Sequence, residues 1–97
     1  MNLTPGVVRI TADSAVSTSG KPIRVFCVNL ISGGSASTLT LKNGTSTSGT
    51  AYDQIDGTAS QSVTKNYAGG LLFPGGCYAD ADANISYATI ICSVDEG

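Results

Sequence analysis

Glycine and proline clusters cut this chain into pieces too short for anything but strands. Gly20-Lys21-Pro22, Gly33-Gly34, Asn43-Gly44, Gly57, Gly69-Gly70, Pro74-Gly75-Gly76 and the segment from Asp80 to Asn84 punctuate it, near the spacing of roughly 8 to 12 residues at which turns separate the strands of sandwiches and barrels. Between these points the apolar residues alternate or run together, and no stretch shows the period of an amphipathic helix. Serine and threonine fill 23 positions and glycine 12, while Glu, Lys, Gln and Arg are scarce, a balance that favours strands and turns. A chain of 97 residues holds one hydrophobic core. The expected fold is therefore all-β: a small antiparallel β-sandwich, jelly-roll-like, with about eight short strands and no substantial helix.

Residues 1–6 read as an extended N-terminal arm ahead of a single domain at 7–97, because Pro5 cannot donate to a ladder and drives Thr4 toward extended geometry. Asn2, Leu3, Thr4 and Pro5 are candidate contacts on that ground, since such an arm can add a strand to a neighbour's sheet edge. A first strand is expected at Val7, Val8 and Ile10, followed by a small polar loop from Ala12 to Gly20. Ile23 to Ile31 is the longest apolar run, with both alternate sets largely apolar, which predicts a central strand covered on both faces, either by a second sheet and a loop or by another subunit. Ala36 to Asn43 alternates cleanly, with Leu39 and Leu41 on one face and Thr38, Thr40 and Lys42 on the other. Asn43-Gly44 is a hairpin signal, and the Thr-Ser-Thr-Ser-Gly that follows lengthens it to a loop of several residues. Strands are expected again at Thr50 to Asp56, Ser60 to Tyr67, Leu71 to Phe73, Cys77 to Tyr78 and Ile85 to Val94.

Histidine is absent, which removes the commonest general base and every imidazole-dependent triad. Asp53 with Asp56, or Asp80 with Asp82, could serve as a carboxylate pair. The chain has no tryptophan to form a sugar platform and is too small to wall off a cleft, so it is expected not to be an enzyme. Asp80-Ala81-Asp82-Ala83-Asn84 opens like a calcium loop, but Ile85 stands where the sharp-turn glycine belongs and Ile91 where the bidentate glutamate belongs. A solvated turn is the expectation, with no metal and no cofactor. The formal net charge is −2 and the five basic residues are scattered singly, so no stripe is available to neutralise phosphates and no nucleic acid is expected as partner. No apolar run reaches the ~18 residues of a membrane span, and Met1 to Ile10 lacks the pattern of a signal peptide. A protein made in a cytoplasm, not secreted and not in a membrane, is expected. On that basis the Asn-x-Ser/Thr sites at Asn2, Asn43 and Asn84 are not glycan acceptors. Cys27, Cys77 and Cys92 lack metal-site spacing and read as small buried residues, with a Cys27–Cys92 disulfide left open.

Three aromatics, Tyr67, Phe73 and Tyr78, flank the corner at Pro74, and together with that proline they are candidates for a subunit contact, where such side chains are enriched. The competing reading of the same cluster is local core packing.

The stretch Leu39-Thr-Leu-Lys-Asn-Gly-Thr-Ser-Thr-Ser-Gly-Thr50, then Ile55-Asp-Gly, Gly70-Leu-Leu-Phe-Pro-Gly-Gly-Cys-Tyr78 and Ala83-Asn-Ile-Ser-Tyr87 resembles small virion proteins of tailed bacteriophages. The resemblance covers about residues 36 to 94 and rests on turn chemistry. It implies a β-sandwich or jelly-roll subunit on the virion, a capsid decoration or cement protein that binds the major capsid protein and itself, as a homo-oligomer such as a trimer. No catalytic residue is carried over. A tail or neck connector, and a host-recognition or carbohydrate-binding module, are the alternatives.

Overall fold

The computed structural model describes residues 3–16 and 20–95, with side chains over 6–16 and 20–94. Eight strands follow one another: β1 Leu3–Ile10, β2 Ser14–Ala15, β3 Ile23–Ser32, β4 Ser37–Asn43, β5 Thr50–Gly57, β6 Ser62–Phe73, β7 Cys77–Ala81 and β8 Ile85–Asp95. They form two antiparallel sheets, ordered β1-β8-β3-β6 and β2-β7-β4-β5. First strand thus pairs with last, second with seventh, third with sixth and fourth with fifth. That nesting, split over two packed sheets, is the jelly roll.

Alternation places the core. Ile23, Val25, Val28 and Leu30 of β3 face Leu39 and Leu41 of β4 across the interior, and Phe73, Ala79, Ala88 and Ile90 complete a layer shut off from solvent. At roughly 1.5–3 kcal/mol for each large apolar side chain buried, this layer is the main driving force for the fold. One polar knot interrupts it. The hydroxyls of Ser32 and Ser37 meet at 2.6 Å, and Gly57 lies so close that a Cβ there would strike both oxygens and Leu30.

Three expectations change. The segment read as an arm at residues 1–6 is, from Leu3 onward, the start of β1, paired with β8 from Leu3↔Asp95 through Gly6↔Cys92. Pro5 is tolerated because β1 is an edge strand, whose unpaired side needs no amide hydrogen. Asn2 lies outside the described residues. A second change is at Gly69-Gly70, which was expected to separate two strands but bends a single one. Val25 pairs with Leu71 and Cys27 with Asn66, so four residues of β6, Tyr67 to Gly70, bulge out against Phe26 alone. Gly69 and Gly70 hold φ of 74° and 86° there, values that a residue with a Cβ resists. The third is Ser14–Ala15, expected in a loop, which forms a two-residue edge on β7. At the Pro74 corner, Gly76 (φ 96°) returns its amide to the Phe73 carbonyl, and Asn43 Oδ1 accepts the Gly75 amide at 2.8 Å, docking one turn onto the other.

Candidate interaction surface

The aromatic corner is resolved into three different jobs. Phe73 is wholly buried, stacked on Tyr52 with ring centroids 5.1 Å apart. It is a core residue and is corrected from a contact candidate on that ground: β6 turns its side chain inward opposite Ile23. Tyr67 is half-buried and donates its hydroxyl to Asp53 Oδ2 at 2.8 Å. Pro74 is exposed and Tyr78 half-buried, on opposite sides of the corner's glycines. Of the arm residues, Leu3, Thr4 and Pro5 are placed by their backbones on the open edge of the first sheet.

Asp53 forms a latch between the sheets. Its Oδ2 accepts from Tyr67 on β6 and pairs with Lys65 Nζ at 2.7 Å. Burial alone would raise the carboxyl's pKa, but the hydrogen bonds from Lys65, Tyr67 and the Gln54 amide outweigh it and hold the group below the usual carboxylate value. Burial and the neighbouring Asp53 charge push the Tyr67 phenol up. Asp56 points the other way, accepting from Thr38 Oγ1 and Gln54 Nε2, so the 53/56 carboxylate pair does not converge. Nor does the Asp80–Asn84 segment form a cage. Asp80 pairs with Lys42 at 2.7 Å, while Asp82 accepts the Thr38 and Asn84 amides. Among the described residues no three His, Cys, Asp or Glu side chains gather as a metal site. A shallow concavity over Arg9 to Ser14 has its carboxylate, Asp13, committed to the Ala81 amide.

The cysteines separate by face. Cys92 pairs in register with Val25 and is buried in the core, whereas Cys27 sits opposite Ile91 on the outer side and is half-buried. The two side chains point to opposite faces of one sheet, which rules out the Cys27–Cys92 disulfide that the sequence left open. Burial lifts the Cys77 thiol to about 12, and Cys92 is raised in the same direction.

What the sequence did not single out is the outer face of the sheet β1-β8-β3-β6. Val7 pairs with Ile91, and Ile91 with Cys27. Phe26 fills the adjacent bulge beside Gly70, and Leu72 follows opposite Arg24. This row crosses all four strands. Its members are exposed by 69% at Val7, 45% at Ile91, 41% at Leu72 and 36% at Phe26, so no described residue covers it. Contiguous apolar surface of this kind marks contact sites. Its charges among described side chains are Arg9, stacked 4.1 Å over the Tyr87 ring, and Arg24, laid across Gly70. A polar outer face belongs to the other sheet, with Thr38, Thr40 and Lys42 on β4, Gln54 and Asp56 on β5, and Asp80 and Asp82 at β7. The signal was available in Ile23–Ile31, whose second apolar set called for cover by a loop or by another subunit; no described loop supplies it.

No family model and no curated protein sequence matches the chain. Among solved structures it is similar to a chain of the Bacillus endospore appendages, which are disulfide-linked pili, with a TM-score of 0.51 and 12% identity over 95% of this chain and 85% of that one. At that identity the likeness shows a shared sandwich fold.

Proposed function

We propose that this chain is a non-catalytic structural subunit of a protein assembly, meeting its neighbours through the outer face of the sheet β1-β8-β3-β6. The observation that carries the reading is the uncovered row of Val7, Ile91, Phe26 and Leu72. A chain of low charge leaving such a row open gains by burying it against protein, at about 25 cal/mol per Å² of apolar area before the costs of association. The resemblance over residues 36 to 94 supports a phage capsid decoration or cement subunit. Such a subunit stabilises a shell by mass action, because it lowers the free energy of the state it binds. Shells assembled from a phage major capsid protein, heated with and without the purified chain, test this directly. Greater heat resistance with the chain supports a cement role, and equal resistance counts against it.

A second reading is favoured by the shared fold with an appendage subunit: the chain polymerises into a pilus-like fibre. Negative-stain images of the purified chain alone test it: fibres formed without a shell support this reading, and their absence counts against it.

A further inference from the structure

The two outer faces of the sandwich differ in charge as well as in polarity, and the difference selects an occupant for the apolar row. On the first sheet the described outward side chains include two arginines, Arg9 and Arg24, and no acid. On the second they include three carboxylates, Asp56, Asp80 and Asp82, against one lysine, Lys42. Two identical first-sheet faces brought together would oppose like charges. Counting the described side chains, the first-sheet face of one copy set on the second-sheet face of another opposes two positive charges to an excess of two negative ones. Complementarity of this kind fixes register and rejects wrong pairings.

We infer that the apolar row is the seat of a second copy of this chain, taken head to tail, so that the outer face of β1-β8-β3-β6 in one copy packs on the outer face of β2-β7-β4-β5 in the next. The inference deepens the assembly reading above and rests on it. Contacts of unlike surfaces close into rings or run on as open stacks. These two faces lie on opposite sides of a domain whose shortest extent is 18 Å, so copies run on. Sheets pack about 10 Å apart, which sets a repeat of roughly 20 Å per copy, two sheet spacings. The arginines flank the apolar row, so the contact joins hydrophobic burial to salt-sensitive pairing.

Charge reversal with mixing tests it. One variant carries Arg9→Glu and Arg24→Glu on the first sheet, and the other carries Thr40→Lys, Gln54→Lys and Asp56→Lys on the second, leaving the Asp82 hydrogen bonds intact. Thermal melts confirm that each is folded. Should Arg24→Glu unfold the bulge it covers, Arg9→Glu with Asn66→Glu and Thr89→Glu keeps Arg24, brings the first face to the same excess of two negative charges and replaces it. Sedimentation velocity over a concentration series is the readout. The unaltered chain is expected to assemble with rising concentration and to dissociate as salt is raised. Each variant alone stays monomeric where the unaltered chain assembles, and the equimolar mixture assembles again, because each variant supplies the face the other lacks. Three results overturn the inference: an unaltered chain monomeric at every concentration, a second-sheet variant that assembles like the unaltered chain, or a mixture that stays monomeric. A monomer that still protects capsid shells from heat would remove this inference and leave the cement reading standing.

Discussion

In the sheet β2-β7-β4-β5, the central strand β4 turns Leu39 and Leu41 inward and Thr38, Thr40 and Lys42 outward, so in the single chain its apolar set is buried and its polar set meets water. In the sheet β1-β8-β3-β6, the central strands β3 and β8 carry apolar residues outside as well as in, and Phe26, Cys27, Ile31 and Ile91 lie on an outer face that no described residue covers. The difference teaches that, on the assembly reading, a doubly apolar strand records what covers it in its working state, of which the described residues supply the inner half.

The largest expected effect contrasts the two sides of the first sheet. Phe73→Ala should lower the free energy of unfolding by about 3–5 kcal/mol, the usual range for emptying a buried aromatic site. Phe26→Ser, measured by the same urea titration, should cost about 1 kcal/mol or less in the single chain. Equal costs would break the comparison, because the outer face would then belong to the chain's own core.

Next in size is Gly57→Ala, where the new Cβ meets Ser32 Oγ, Ser37 Oγ and Leu30 between the sheets. Overpacking of this kind costs about 1–3 kcal/mol. Gly34→Ala, with open space around it, should stay within about 0.5 kcal/mol of the parent in the same titration.

Acid should loosen the latch that joins the sheets at Asp53. Its folded pKa lies below the ordinary carboxylate value, so its contribution is present above about pH 4 and is lost as pH falls through the folded pKa. With Lys65 well exposed, the pair is worth about 0.5–1 kcal/mol. Asp53→Asn should remove that much at neutral pH and flatten this part of the acid dependence of the melting temperature.

The smallest effect is expected at Ser93, opposite Arg24 on the first sheet, whose buried hydroxyl has no hydrogen-bond partner. Ser93→Ala should be neutral or stabilising by up to about 1 kcal/mol, since the unpaired oxygen carries a desolvation cost that the methyl group lacks. A loss of stability on denaturation would show a partner supplied by solvent.

Fold class and most strands were legible because turn residues and period-two alternation are local signals. Leu39 and Leu41 with their intervening threonines lie where alternation places them, and the long loop after Asn43 is present. Two adjacent glycines at 69 and 70 read as a strand break, yet the ladder resumes beyond them. Whether positive φ ends a strand or bulges it depends on Phe26 and Arg24 of the neighbouring strand, which are distant in sequence. The choice between the two readings of Phe73, core packing and subunit contact, stayed open for a similar reason: proximity to Pro74 says nothing about which way β6 faces. The β1 edge was hidden by Pro5, since only the sheet order reveals that its unpaired side needs no donor. For the interaction surface, the apolar residues were visible in the run from Ile23 to Ile31, but Val7, Ile91 and Leu72 join them only through pairing across four strands.

Cys27 offers the most direct test of the central claim that the outer face of the first sheet is a contact surface. Its half-buried thiol lies beside Ile91 within the row, while Cys77 and Cys92 are buried and serve as internal references. Alkylation followed by mass spectrometry, on the dispersed chain and on the assembly, measures whether that face is covered. The account predicts that Cys27 is modified in the dispersed chain and protected in the assembly, with Cys77 and Cys92 unmodified in both. Equal modification of Cys27 in the two states would contradict it.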